Sequence, residues 1–331
     1  MKILVTGATG FIGYHAARAL QDGEHTLRAL VRDEGKGARV LEPLGVAATD
    51  RVAGDMTDAA SVEKALDGCD ALVHAAAGVS VTTGAQDFAA NVTGTEVVLG
   101  AAFARELPCV YLSSLEAIMQ PGRPTTEASE PVMGATHYGR SKARADRWVR
   151  EQAQAGAGVT ILYPPGVVGP DDPGFSESVK AYRSFLRGTL RVGATQFVDG
   201  RDLGILIRRL LETRHAGRVL AGGHFFTWDA LTDLLVEVTG ARIPRISAPG
   251  WLLRGAARTM DVIGRVTGRK MPMTGEGIEI ATRWQRVADS PVVAELGVGW
   301  RDPEETLRDL FRWYVEAGRL PAKAVPKLGG S

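Results

Sequence analysis

Tyr138 and Lys142 stand four residues apart in the stretch HYGRSKARADRW, a spacing that puts both side chains on one face of a helix. An ammonium beside a phenol favours the phenolate. It would lower a pKa that is ordinarily about 10 and make Tyr138 a candidate to give or take a proton near neutral pH. The same spacing occurs on solvated helix faces, so it needs company. In VYLSSLEAI an apolar run ends in Ser113 and Ser114, hydroxyls at a strand end where one could hold a carbonyl oxygen. A third feature lies near the start, where TGATGFIGYHAARAL follows the apolar run Ile3-Leu4-Val5 and places glycines at Gly7, Gly10 and Gly13. Gly7 permits a tight turn, Gly10 lets backbone approach a diphosphate, and Gly13 lets the next helix pack closely on a sheet. The unbonded amides of that helix's first turn would then face an anion. Glycine corners without a ligand are common, and it is the strand before and the amphipathic helix after that a phosphate loop requires.

The elements that must position these residues are legible as alternation. KILVT, TLRALV, RVAG, ALVHAA, CVYLSS and VTILYP read as strands, and helical stretches fall between them at about 11–22, 35–44, 58–67, 85–105 and 137–155. Strand and helix in turn predict right-handed crossovers and a parallel sheet covered on both faces, an α/β doubly wound domain. Beyond Gly169 the alternation fails at GPDDPGFSES. The runs FVDGRDLGILIRRLLE and RVLAGG then read as a return to the first domain. The expected division is a dinucleotide-binding domain over 1–168 with a return segment at about 197–223. A smaller α+β C-terminal lobe over 169–196 and 224–320 would roof the substrate, and the tail 321–331 would be flexible.

In this order and spacing the motifs resemble the extended short-chain dehydrogenase/reductase family, within the NAD-dependent epimerase/dehydratase superfamily and its Rossmann fold. The stretches concerned are TGATGFIG, GDMTD at 54–58, VHAAA at 73–77, NVTGT at 91–95, the paired serines, Tyr138-x-x-x-Lys142, YPPGVVGP at 163–170, FVDGRDLG at 197–204 and the ending ELGVGWRDPEETLRDLFRWYVEAGRL. The resemblance implies catalysis by Ser114, Tyr138 and Lys142: a hydroxyl that orients the substrate, the acid/base, and an ammonium that binds the nicotinamide ribose and depresses the Tyr138 pKa. It implies a dinucleotide held by Gly7, Gly10, Phe11, Ile12 and Gly13, flanked at the adenine by Asp55 and Met56. Ala75, Ala76 and Ala77 would line its path, and Pro164 and Val167 would lie against the nicotinamide. Asn91 would support this region structurally. Sugar-nucleotide dehydratases of the family carry Thr-Asp-Glu where this chain has Ser114-Leu115-Glu116, which removes the acid for water elimination. The subgroup resembled is dihydroflavonol-reductase-like and hydroxysteroid-dehydrogenase-like.

Cofactor choice turns on RALVRDEGKGARVL. Arg32 directly follows the second strand, and with Arg39, or else Lys36, it would pair with the 2′-phosphate of NADP(H). Asp33 could instead take a ribose hydroxyl of NAD(H). The expected activity interconverts a carbonyl and a secondary alcohol on a small, fairly apolar substrate. Two other readings stand beside it: a nucleotide-sugar epimerase with tightly bound NAD, whose Lys180, Arg183, Arg187 and Arg191 would grip a diphosphate, and a non-catalytic dinucleotide-sensing protein.

Lys plus Arg number 39 against 38 Asp plus Glu, so no field of one sign recommends nucleic acid as a partner. Two cysteines, Cys69 and Cys109, make neither a metal site nor a disulfide framework, and no metal is expected. No apolar run reaches eighteen residues, so no membrane span is expected, and a cytoplasmic location fits. In WLLRGAARTMDVIGRVTG the charges Arg254, Arg258, Asp261 and Arg265 recur on one helical face, read as a solvated face over the pocket rather than a membrane surface. The sequence leaves the oligomeric state open; members of the family it resembles often dimerise through the helices at 85–105 and 137–155, which makes a homodimer possible here.

Overall fold

The structure is a computed structural model that describes residues 1–78, 85–120, 123–133, 137–267 and 275–328, with backbone alone at 85–87, 137, 261–267 and 275–277. Strand and helix alternate from the start: β1 (Lys2–Thr6), α1 (Phe11–Asp22), β2 (Thr26–Val31), α2 (Glu34–Leu41), β3 (Arg51–Ala53), α3 (Ala59–Leu66), β4 (Ala71–His74), α4 (Ala85–Phe103), β5 (Cys109–Leu112), α5 (His137–Gln154) and β6 (Val159–Tyr163). The chain continues through β7 (Gly166–Val168), α6 (Glu177–Phe185), β8 (Thr189–Leu190), β9 (Ala194–Asp199), α7 (Gly200–Glu212), β10 (Gly217–Leu220), β11 (His224–Thr227) and α8 (Trp228–Thr239). It ends with β12 (Arg245–Ile246), α9 (Gly250–Thr267), α10 (Gly275–Arg283), α11 (Pro291–Glu295) and α12 (Pro303–Glu316).

Among the described residues, seven strands in the spatial order β3-β2-β1-β4-β5-β6-β10 form one sheet with every neighbouring pair parallel. Its strands read as unbroken apolar runs because both faces are covered. Successive side chains point to opposite faces. Ile3 and Val5 of β1 therefore join one core with α1, α2 and α7, while Leu4 joins the other with α3, α4 and α5. The same split separates Val110 and Leu112 from Cys109 and Tyr111 in β5. The direction of strand winding reverses between β1 and β4, and a crevice opens there at the strands' carboxyl ends. Among the described residues, no helix is long and apolar enough to cross a membrane.

Two details differ from the reading of the sequence. α2 stops at Leu41, and residues 42–44 form a separate tight turn beginning at Glu42-Pro43. FVDG does not re-enter the main sheet: β9 runs parallel to β7 and antiparallel to β11 in a three-stranded sheet of its own. The physical reason is packing, since Phe197 sets its ring against Tyr182 and Phe226 of the lobe. Gln196 beside it donates to the carbonyls of Gly222 and Val287. The helix that follows does return. α7 lies on α1 so closely that a Cβ on Gly204 would sit 2.4 Å from the His15 carbonyl oxygen, and β10 then closes the sheet beside β6.

Candidate active site

The glycine loop joins β1 to α1 at the point where the winding reverses. Gly7 has φ +74°, and a Cβ there would meet the Ala76 amide nitrogen at 2.6 Å. A Cβ on Gly13 would lie 2.1 Å from the Gly7 carbonyl oxygen. These two positions can hold nothing but glycine if the turn is to lie against the end of β4 and the helix against the turn. Gly10 is different: a Cβ there would stand 3.3 Å from its nearest neighbour, the Gly7 oxygen, and the space beyond is open to a ligand. It begins α1 with no capping side chain and no acid in the first turn, which leaves the helix's positive end free for a diphosphate. Phe11 is buried with its ring edge-on to His15 at 5.0 Å, so only its backbone faces the loop. Ile12 is half-buried. The arrangement fits the dinucleotide that the sequence implies.

At the end of β2, Arg32 is exposed, and its charge helps hold the Asp55 carboxyl below its ordinary range, after the hydrogen bonds from the Thr57 hydroxyl and amide. Asp33 has another occupation. Its carboxylate accepts from the Lys36 amide at 2.9 Å and caps α2. Arg39 is exposed in the last turn of that helix, and Lys36 reaches toward Gly174 instead. Met56 lies across α4 at Gly94, where a Cβ would come within 2.6 Å of its Cγ. Ala75, Ala76 and Ala77 form a half-buried rim after β4. Pro164 and Val167 are buried below, and the Pro164 carbonyl accepts from the Leu115 amide at 3.1 Å.

Ser114, Tyr138 and Lys142 converge where β5 ends against α5. The two serines part company here. Ser113 is buried and donates to Asp146 at 2.8 Å. Ser114 is half-exposed, receives the Glu116 amide at 3.2 Å, and hydrogen-bonds Tyr138. Lys142 is 5 % exposed, and its ammonium donates to the Leu112 carbonyl at 2.7 Å beneath the Tyr111 ring, 5.4 Å from its centroid. Burial pulls the Lys142 pKa down to about 8, against the charge of Asp146. The expectation that Lys142 depresses Tyr138 is not met in this arrangement: burial first, then the Glu116 carboxylate, push the Tyr138 phenol up, and only the Ser114 hydrogen bond works downward. Asn91 behaves as a brace, accepting from the Gly78 amide at 2.6 Å and donating to Ser141, whose hydroxyl in turn holds the Tyr138 carbonyl. Residues 79–84 lie outside the described residues.

A family model for the NAD dependent epimerase/dehydratase family matches residues 3–214, which includes the glycine loop, Ser114 and the Tyr138–Lys142 pair. The chain belongs to that family. Beyond the match, this epimerase/dehydratase-family chain is 31 % identical to sterol demethylase protein B of Methylococcus capsulatus over 97 % of its own length and all of the relative's. It is 27 % identical to a 4-hydroxy-2-methyl-3-oxo-4-farnesyl-3,4-dihydroquinoline-1-oxide ketoreductase of Stigmatella aurantiaca, covering 98 % of this chain and 100 % of that one. Among solved structures, that of gox2253 superposes with a TM-score of 0.79 at 25 % identity, covering 96 % of this chain and 99 % of that one. The family and its named reductases and dehydrogenases make the chain an NAD(P)-dependent oxidoreductase of the extended short-chain type.

Sequence reasoning missed what lies beneath the site. Asp146 follows Lys142 by four residues, and its fully buried carboxylate pairs with Arg150 at 2.6 Å, four residues further on. Arg150 also donates to the Tyr163 hydroxyl at 2.9 Å. On the other side His74 is wedged between Thr6 at 2.7 Å and Thr95 at 3.1 Å, stacked on Tyr111. The spacing Tyr138, Lys142, Asp146, Arg150 was itself the available signal, a polar stripe on one face of a helix whose neighbours in that stripe must be buried. The basic set of the epimerase reading divides: Lys180 pairs with Glu177 at 2.8 Å, whereas Arg183 and Arg187 line a cavity that shares no residue with the Ser114–Tyr138–Lys142 site.

Proposed function

We propose that this protein is an NADP-dependent reductase or dehydrogenase that interconverts a carbonyl and a secondary alcohol on a small, largely apolar substrate. The observation that carries the reading is the pairing of a half-exposed Ser114 hydroxyl with the Tyr138 phenol at the mouth of the crevice, above the buried Lys142. The dinucleotide, when bound, supplies or accepts the hydride. Ser114 holds the substrate oxygen by a hydrogen bond, and Tyr138 delivers a proton to that oxygen in reduction or removes one in oxidation. The raised phenol pKa suits the donor role, because Tyr138 enters reduction fully protonated. Lys142 holds the ribose hydroxyls, and its charge is maintained against burial by Asp146. The names of a sterol demethylase component and a farnesylated-quinoline ketoreductase among the relatives support an apolar carbonyl or carbinol as substrate. Leu115, buried with no exposed surface where a dehydratase would need an acid, supports the oxidoreductase reading over elimination.

NADP is favoured because Asp33, the competing acid, is engaged as a helix cap, which leaves Arg32 to meet a 2′-phosphate. A charge-assisted bond of about 1.5–3 kcal/mol gives NADPH about tenfold to a hundredfold tighter binding than NADH. Titration of both cofactors at one salt concentration tests this, together with a screen of sterol and alkyl ketones followed by nicotinamide absorbance. Equal affinities, or a preference for NADH that survives Arg32→Ala, overturn the cofactor assignment. A cytoplasmic setting fits the two buried free thiols Cys69 and Cys109. The pairing of two copies through α4 and α5 remains part of the proposal.

A further inference from the structure

Five cations, Arg183, Arg187, Arg242, Arg319 and Lys323, line a cavity of about 650 Å³ between the end of α6, the turn after α8 and the segment that follows α12. Its lining contains no carboxylate, and among the described residues none of the five forms an ion pair. Like charges crowded without counter-charge repel one another, so a fold that gathers them must hold them by other means. Here the means are visible. Arg183 donates to the Arg319 carbonyl at 3.2 Å, and both guanidiniums stack on Phe175, 5.3 and 5.1 Å from its centroid. Phe175 itself has φ +50°, a backbone state that aromatic residues rarely adopt. Its ring is fixed by Trp313 and Tyr314 of α12. Cations near the carbonyl ends of α6 and α8 complement those helices, which accounts for Arg183, Arg187 and Arg242. Arg319 likewise follows the end of α12, its amide donating to the Tyr314 carbonyl at 2.8 Å; helix ends do not account for the convergence of all five cations on one cavity whose lining holds no carboxylate.

We infer that this cavity binds a small, multiply charged phosphate anion of diphosphate size, at a second site separate from the dinucleotide crevice. Its volume is in the range of ligand pockets. Guanidiniums held against one ring offer forked N–H donors of the kind that bind phosphate oxygens in pairs, and a singly charged carboxylate would leave most of the positive charge unopposed.

Calorimetric titration of the full chain with inorganic pyrophosphate tests the site. With the glycine loop occupied by saturating NADPH, one saturable pyrophosphate per chain is expected, weakened at least about tenfold by the paired substitutions Arg242→Glu and Lys323→Glu and not displaced by further NADPH. Both substituted positions are exposed and leave the Phe175 clamp untouched, and an unchanged thermal melt confirms that the variant folds. Absence of saturable binding, binding that survives both charge reversals, or pyrophosphate displaced by NADPH each overturns the inference, the last because the anion would then occupy the dinucleotide site.

Discussion

Tyr138 carries the proton in the proposed reaction, so its hydroxyl is the atom to remove. Tyr138→Phe is expected to lower turnover by about 10²-fold or more on a confirmed substrate while dinucleotide affinity stays near normal. Retention of most of the activity would remove Tyr138 from the chemistry. Beneath it, His74 makes a separate prediction about stability. Burial, with the Lys142 charge second, lowers its pKa from 6.5 to about 3. Between those values the unfolded chain takes up a proton that the folded chain excludes, so stability falls as pH drops from 6.5 toward 3 and the contribution is fully present above 6.5. His74→Asn should flatten that part of the acid limb in denaturant titrations run at a series of pH values. An identical slope in both proteins would assign the acid sensitivity to other groups. Lys142 and Asp146 show why the polar stripe of α5 could be read only in part: one member is proposed to hold the ribose, while the next is entirely internal and reveals itself by its partners Ser113 and Arg150.

At the scale of elements, the β1–α1 turn depends on backbone contact rather than on side chains. The 2.1 Å approach at Gly13 cannot be relieved by rotating a side chain, since both the added Cβ and the Gly7 carbonyl belong to the main chain. Gly13→Ala is therefore expected to cost about 1–3 kcal/mol or more in stability and to weaken dinucleotide binding. Gly10→Ala, whose nearest neighbour is 3.3 Å away, is expected to retain stability and lose affinity. Denaturant midpoints and cofactor titrations of the two variants check the contrast. Equal destabilisation would mean that Gly10 serves the fold and not a ligand. The strands and helices of the first 163 residues were readable because the central strands β1, β4, β5 and β6 are short apolar runs and the stretches between them are long enough for helices. β9 was not, because its apolar residues fit the main sheet and the lobe equally well in sequence, and only the aromatic contacts of Phe197 choose between them.

For the whole molecule, the face formed by α4 and α5 is where a second copy would meet the first. Val97, Ala101 and Trp148 are only partly buried there, packed at the margin of the core beneath. A homodimer should appear in light scattering, and Val97→Arg should shift it toward monomer with little change in melting temperature. A monomer in the unsubstituted protein at working concentrations would refute the assembly.

The sequence by itself determined the doubly wound sheet, through apolar runs that alternate with helices, and the glycine turn between β1 and α1, through glycines spaced three apart between a strand and a helix. The spacing of Tyr138 and Lys142 and the paired serines were legible because they are local, one helical turn and one strand end, while the choice of Ser114 came from the family resemblance and the role of the set is part of the proposal. Tertiary structure decided what depends on contacts distant in the chain. It assigned Ser113 to Asp146 and left Ser114 to Tyr138, engaged Asp33 as a cap, and sent the Lys142 ammonium to the Leu112 carbonyl. It also gathered Arg183, Arg242 and Arg319 around one cavity from segments far apart in sequence. Residue type fixes what a group can donate or accept, but its burial and its neighbours, set by packing across the whole chain, decide which of those bonds is made.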